Sequence, residues 1–198
     1  MTRACAEASR HPHAVAASID VCAGPHDDGE DDGPGDARLA FLAGVAAALL
    51  APAARHHRVI PNFMCQFGCP NSANPQSPIA GTGGPPGNTE FALPDGSKVK
   101  RDGGGNIPDE LVGELSNEVG TISMANTGAP NSGGSQFFLN TKHNAFLDYF
   151  DNSTPSKHPV FGKVVDGMDV VSAIEGVPTD GRDKPIDAVR VESITIAE

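Results

Sequence analysis

The sequence predicts a mainly β, loop-rich protein, and three observations carry that expectation. Gly and Pro number 23 and 17 of 198 residues, about a fifth of the chain and well above their ordinary share. After residue 55 the apolar residues come in short runs separated by turn signals, which is how an antiparallel barrel or sandwich reads. The last run, Val189–Ile196 (VRVESITI), alternates apolar and polar residues with the period of a half-buried strand. A helical bundle, a coiled coil and a collagen-like chain are excluded on the same counts. With no Trp and a single Tyr, Tyr149, phenylalanine is the main large aromatic for a core or a pocket.

Residues 1–55 form an atypical N-terminal region. Residues 24–36 are an acidic spacer holding Asp27, Asp28, Glu30, Asp31, Asp32 and Asp36 between Gly and Pro. It reads as a solvated segment, because it lacks the ligand spacing and closing Glu of a calcium loop. Residues 39–54 (LAFLAGVAAALLAPAA) are small or apolar throughout. They fall short of the roughly 20 residues a membrane-spanning helix needs. They also begin far from Met1 and follow acids, where a signal peptide wants a basic flank. An Ala-rich packing helix, capped by Asp36 and ended by Pro52, is the simpler reading. Organelle targeting is the weaker alternative to a cytoplasmic location.

Residues 56–198 form the second unit. Arg58–Met64 opens it, with Pro61 and Asn62 bending the run. Pro70–Gly105 carries most of the Gly and Pro and reads as one long irregular region. Strands are expected over Val119–Met124, Ser135–Thr141 and Val160–Val165. A helix is expected over Gly167–Ile174, where Met168, Val171 and Ile174 sit at helical spacing. No internal repeat is visible.

A net charge of −11 argues against a nucleic-acid partner, since phosphate contacts need clustered Lys and Arg. Lys98, Lys100 and Arg101 form the one small basic cluster and read as an exposed loop. Cys5, Cys22, Cys65 and Cys69 are too scattered for a disulfide scaffold or a zinc site, so free thiols in a reducing compartment are expected. His56 and His57 are adjacent, and neighbours on a strand face opposite ways, which argues against a shared metal.

The chemistry concentrates around Ser135–Asn140. On a strand, Gln136, Phe138 and Asn140 face one way while Phe137 and Leu139 face the other. One face then supplies core and the other sets amides beside a large aromatic. Ser135 has no His or acid partner in a recognisable motif. With Arg58, Phe63, Met64 and Gln66 from the first run, the set describes an apolar pocket edged by hydrogen-bonding groups.

Five blocks follow one another in order: Arg58-Val-Ile-Pro-Asn-Phe63-Met64-Cys-Gln66, Gly81-Thr-Gly-Gly84, Ser123-Met-Ala-Asn126, Gly134-Ser-Gln136-Phe-Phe138 and His158-Pro-Val-Phe-Gly162. From about His57 to near the C-terminus, the sequence resembles a cyclophilin, a peptidyl-prolyl cis-trans isomerase. The resemblance implies a closed eight-stranded antiparallel barrel capped by helices, with a proline pocket on its outer surface. It implies Arg58 as the catalytic guanidinium. Phe63, Met64, Phe138 and Leu147 would line the pocket with His158 at its edge, and Gln66, Ala125, Asn126 and Gln136 would hold the peptide. Phe146 stands where many family members have Trp, which resembles variants that bind cyclosporin poorly and implies weakened drug binding with catalysis largely kept. A monomer acting on proline-containing polypeptides, with no cofactor, no metal and no membrane span, is what the family leads one to expect.

One departure stands against the pattern. A family member has two strands and a helix before the block at Arg58, and residues 1–55 show no alternating hairpin, although a short strand over Ala14–Val21 is conceivable. A misassembled gene product, a divergent replacement and a targeting segment on a truncated domain are the three accounts, the first favoured because every downstream motif is kept. An incomplete barrel would make the chain a non-catalytic module binding proline segments, the alternative to an isomerase.

Overall fold

The computed structural model describes residues 2–4, 19–22, 55–74, 76–92, 96–111, 113–155 and 157–191. The described residues hold nine short strands: β1 Thr2–Ala4, β2 Ile19–Cys22, β3 Arg58–Ile60, β4 Met64–Phe67, β5 Glu90–Ala92, β6 Lys98–Lys100, β7 Thr121–Met124, β8 Phe137–Asn140 and β9 Val160–Val164. Seven of them build one sheet in the order β1-β2-β9-β7-β8-β4-β3, while β5 and β6 make a separate hairpin. Every pairing is antiparallel. The α-helix among the described residues, α1 (Met168–Glu175), packs against β3 and β4.

Two expectations change. The closed eight-stranded barrel is not found among the described residues, where the sheet has seven strands and ends at β1 and β3. Beyond β3, Arg55 bridges Arg190, and the His56 amide donates to the Val189 carbonyl at 3.1 Å. Residues 192–198, which hold the rest of the expected last strand, lie outside the described residues. The second change concerns the N-terminal hairpin thought to be missing. Strand β1 pairs with β2 in the register Thr2↔Val21, and β2 continues onto β9 through Val21↔Val164. With three and four residues, these strands are too short to show an alternating pattern. The acidic spacer 24–36 and the Ala-rich stretch 39–54 lie outside the described residues.

The region from Pro70 to Gly105 is also more ordered than its composition suggests. It contains a single 3-10 turn at Pro70–Ala73 and the β5–β6 hairpin. Arg101 does not sit in an exposed loop. It is 4% exposed, and its guanidinium lies 4.7 Å from the centre of the Phe91 ring. Burying the long stem against an aromatic face, with the charge over the ring's negative quadrupole, makes that placement favourable.

The core forms because strands β4 and β8 each have two apolar faces. Cys65 and Phe67 from β4 join Phe137 and Leu139 from β8 in the main core, with Ile122, Phe161, Val171 and Ile174. Met64 and Phe138 point the other way and meet Leu147 in a second buried cluster, with Ile60, Phe63 and Ala125 against it. The face alternation expected for Ser135–Asn140 is thus what separates these two clusters. Full burial of Leu139 (1% exposed) sets the cost of truncating it at about 2–5 kcal/mol. Cys65 and Cys69 are free thiols, both buried. Burial pushes the Cys65 thiol up to about 12, which keeps it protonated and unreactive.

Candidate active site

Between β3 and β4 the chain turns through Pro61–Phe63, and this turn places the first pocket residues. Asn62 adopts φ 56°, a left-handed conformation that Asn tolerates better than most residues. Its amide donates to the Glu175 carboxylate at the end of α1, so the helix fixes the turn. Phe63 then projects beside Met64, the first residue of β4. The result is a cleft of about 410 Å³ whose floor is Met64, Phe138 and Leu147. Phe63, Ala125 and His158 form its apolar sides, with Arg58, Gln66 and Asn126 among the polar groups on its rim.

Arg58 opens β3 with its side chain 46% exposed, its Nε 3.7 Å from a carboxylate oxygen of Asp183. Opposite it in register is Gln66. The Gln66 amide belongs to a polarised chain: its Nε2 donates to Gln136 Oε1 at 2.9 Å, and Gln136 Nε2 donates to the Gly81 and Gly83 carbonyls at 2.9 and 2.8 Å. Carbonyls only accept, so both amides have one permitted orientation. Gln66 lines the cleft, and that orientation leaves its carbonyl oxygen as the acceptor it can offer there. Gln136 stands one layer behind the cleft wall, and it acts there through Gln66 and the Gly81–Gly83 loop.

His158 Nδ1 meets the Met124 carbonyl at 2.7 Å, and its ring edge meets the face of Phe138 with centroids 5.5 Å apart. A carbonyl partner requires Nδ1 to carry the hydrogen, which leaves Nε2 as an acceptor. Burial pushes the His158 pKa below its ordinary value, against the opposing pull of the Met124 hydrogen bond. Asn126 is held by its own side chain, which donates to the Lys157 carbonyl and accepts from the Gly128 amide. Phe146 is 48% exposed and stacks on Phe63 with centroids 5.9 Å apart, so it extends the rim of the cleft and stays out of its floor.

The cleft floor rests on a buried amide network. Asn140 donates to the Thr121 and Ser123 hydroxyls at 2.9 Å each and accepts from Asn144 at 2.8 Å. Asn144 also donates to the Phe63 carbonyl at 2.9 Å, tying strands β7 and β8 to the pocket turn. Asp148 accepts from Ser116, from the Asn117 amide and from the Asn117 side chain. These groups are satisfied internally and buried, so they rigidify the floor.

Sequence reasoning missed five lining residues: His57, Ala80, Gly81, Thr82 and Arg182. Gly81 was visible as part of a motif, and the structure explains its type. Its φ is +91°, and a Cβ there would lie 2.9 Å from the His57 ring. His57 followed from its place beside Arg58, but adjacent histidines read first as a possible metal pair. Among the described residues no group of three or more His, Cys, Asp or Glu is placed to hold a metal. Nor is any helix among the described residues long and apolar enough to cross a membrane. Nothing in the sequence marked Arg182.

No nucleophile–base set lines the cleft. An apolar floor, a guanidinium at the rim and oriented amides suit recognition and electrostatic stabilisation, with no covalent chemistry. The family model described as cyclophilin type peptidyl-prolyl cis-trans isomerase/CLD matches residues 52–196. The chain belongs to this cyclophilin family. Among its relatives, peptidyl-prolyl cis-trans isomerase B of Saccharomyces cerevisiae is 40% identical over 136 residues, covering 68% of this chain and 52% of that protein. Peptidyl-prolyl cis-trans isomerase-like 1 of Aspergillus oryzae is 35% identical over 143 residues, 72% of this chain and 70% of that protein. The chain spans about half the length of the yeast cyclophilin. A crystal structure of a Cryptosporidium parvum cyclophilin, determined in the presence of the dipeptide Ala-Pro, superposes with a TM-score of 0.58 at 26% identity, covering 81% of this chain and 85% of that one.

Proposed function

We propose that this cyclophilin catalyses the cis–trans isomerisation of X-Pro bonds in polypeptides and so assists their folding. The observation that carries the reading is the Arg58 guanidinium beside the buried Met64–Phe138–Leu147 floor. Rotation about a peptide bond faces a barrier of about 18–20 kcal/mol from amide resonance. X-Pro bonds cross it in tens to hundreds of seconds. Lowering that barrier needs neither proton transfer nor a covalent intermediate. The floor would grip the proline ring while the preceding carbonyl turns. In the twisted state the proline nitrogen becomes pyramidal and basic, and a hydrogen bond from Arg58 to it strengthens there. Interactions stronger in the twisted state than in the planar one are what accelerate the step.

Gln66, Ala125, Asn126 and, through Gln66, Gln136 would hold the backbone on either side of the proline, with His158 closing the pocket edge. The structural neighbour determined in the presence of the dipeptide Ala-Pro supports a proline segment as the ligand. A closed barrel is supported by the Arg55–Arg190 bridge beyond the β3 edge. A monomer, a cytoplasmic location and weakened cyclosporin affinity complete the reading, the last resting on Phe146.

A protease-coupled isomerisation assay on an Ala-Pro peptide tests it, using the full chain, Arg58→Ala and Arg58→Lys. Acceleration by the full chain, abolished in Arg58→Ala with peptide binding only weakened, is expected. Lys lacks the planar fork, so Arg58→Lys is expected to recover little. No acceleration from a soluble, folded chain that still binds the peptide would replace the isomerase by a proline-binding module, a reading the open sheet edges at β1 and β3 would then favour.

A further inference from the structure

We propose that Arg182 makes the cleft selective for proline segments that carry an acidic side chain close to the proline. The inference rests on the isomerase reading and names the substrate class of the same site. It begins with the turn Thr179-Asp-Gly-Arg-Asp-Lys-Pro185. Thr179 and Pro185 form an antiparallel bridge, the Asp180 amide donates to the Lys184 carbonyl at 2.8 Å, and the Asp183 amide donates to the Asp180 carbonyl at 3.0 Å. The Asp180 carboxylate accepts from the Arg182 and Lys184 amides at 2.8 and 3.1 Å. The turn is docked on β3 by the Val59 amide, which donates to the Asp183 carbonyl at 2.7 Å. Arg182 is therefore an exposed side chain on a fixed support, and it lines the cleft beside Arg58.

The charges around it are asymmetric. Asp180 is turned into the loop, where it accepts from the loop's own amides, and Asp183 faces Arg58 Nε. Neither these nor any other carboxylate lines the cleft, whose charged groups are Arg58 and Arg182. The two lining histidines, His57 and His158, are held neutral by burial. In a chain of net charge −11, this is a local positive site facing an otherwise repulsive surface for acidic peptides. Arg58 shares its charge with Asp183 and has the reacting amide to serve. Arg182 also acts on the Asp180 charge, but its side chain is exposed and has the forked donor geometry that fits a carboxylate. An extended chain advances about 3.3 Å per residue, so an acid within about three residues of the proline comes within reach.

The test uses the full chain and matched peptides carrying Glu, Gln or Lys at each of the three positions on either side of one Ala-Pro bond. Isomerisation is read by NMR exchange, which needs no coupling protease. The readout is the Glu-to-Gln ratio of kcat/KM within each enzyme, so a general loss of activity cancels. At one position or more, Glu is expected to exceed Gln about two- to fivefold, the range for an exposed pair. Lys should fall below Gln, and both differences should shrink as salt is added. In Arg182→Gln the ratio should fall to about one, and in Arg182→Glu it should invert in favour of Lys. A ratio of one at every position in the unaltered chain overturns the inference, and so does a Glu preference that survives Arg182→Gln. If the Gln peptides are not accelerated either, the isomerase reading fails. The same ratio, taken from calorimetric affinities, then decides the acidic preference alone, and equal affinities for Glu and Gln overturn it.

Discussion

Removing the buried imidazole of His56 should flatten the acid sensitivity of this fold. The ring is completely enclosed, 4.5 Å from Phe67 between centroids, and neither ring nitrogen has a hydrogen-bond partner. Burial, with a further contribution from the neighbouring His57, lowers its pKa from 6.5 to about 3. His57 is lowered to about 4, again by burial; Gln136 and the Arg55 backbone pull it upward, without a hydrogen bond of good geometry to either nitrogen. Unfolded, both side chains take up a proton near pH 6.5. Folded, they refuse it until the pH is far lower. Stability is therefore complete above about pH 6.5 and falls as the pH drops below it, by about 1.4 kcal/mol per unit for each histidine. At pH 5 that amounts to about 2 kcal/mol for His56 and a similar loss for His57. Carboxylates whose pKa is held low by backbone hydrogen bonds, Asp102, Asp151 and Asp180, act in the same direction but at lower pH. Urea unfolding at pH 7 and pH 5 measures the effect, followed by far-ultraviolet circular dichroism because the chain has no Trp. His56→Leu, of similar volume, should lose about 2 kcal/mol less than the unaltered chain between those pH values. An identical loss in both would refute the assignment of the titration to His56.

Three further outcomes follow from single sites. Gly68→Ala should destabilise by at least about 2 kcal/mol in thermal unfolding, since φ there is +90° and the new Cβ would lie 2.2 Å from the Ser135 carbonyl oxygen; an unchanged midpoint would mean the backbone path at β4 is wrong. Asn140→Leu should cost about 3 kcal/mol or more in urea unfolding, because it strands the Thr121, Ser123 and Asn144 groups in the interior. A neutral result there would remove the amide network as the support of the cleft floor. Phe146→Trp should tighten cyclosporin binding about tenfold, equivalent to about 1.4 kcal/mol, in a calorimetric titration, and equal affinities would release Phe146 from that role.

The parts of this molecule legible in the sequence are those with a repeated physical signature. The alternation through Ser135–Asn140 is long enough to separate Phe137 and Leu139 from Phe138, and it located both the core and the cleft floor. Met168, Val171 and Ile174 announced α1 by their spacing, and Val171 and Ile174 are its buried pair. Elements as short as β1, β2, β5 and β6, with no alternating run around them, carry no such signature. That is why the hairpin at Glu90–Ala92 and Lys98–Lys100 was not read, and why only a conceivable strand over Ala14–Val21, overlapping Ile19–Cys22, stood for the one at Thr2–Ala4 and Ile19–Cys22. Asn117, Asn140 and Asn144 look like surface residues in a sequence, because only their tertiary partners allow an amide to be buried. Arg182 reaches the cleft through a turn that folds back on β3, a contact between residues far apart in the chain with no local trace.

The one-way chain of amides from Gln66 through Gln136 to the Gly81 and Gly83 carbonyls has a consequence for traffic through the cleft. Its sense is dictated by main-chain oxygens, so no side-chain substitution at Gln66 or Gln136 can reverse it while that loop stays in place. On the proposed reading, a bound peptide would meet the Gln66 acceptor and the Arg58 donor side by side, since the two residues are paired across β3 and β4. The loop at residues 81–83 thus fixes the polarity of that wall, and moving it is the change that would let the Gln66 amide turn a donor outward.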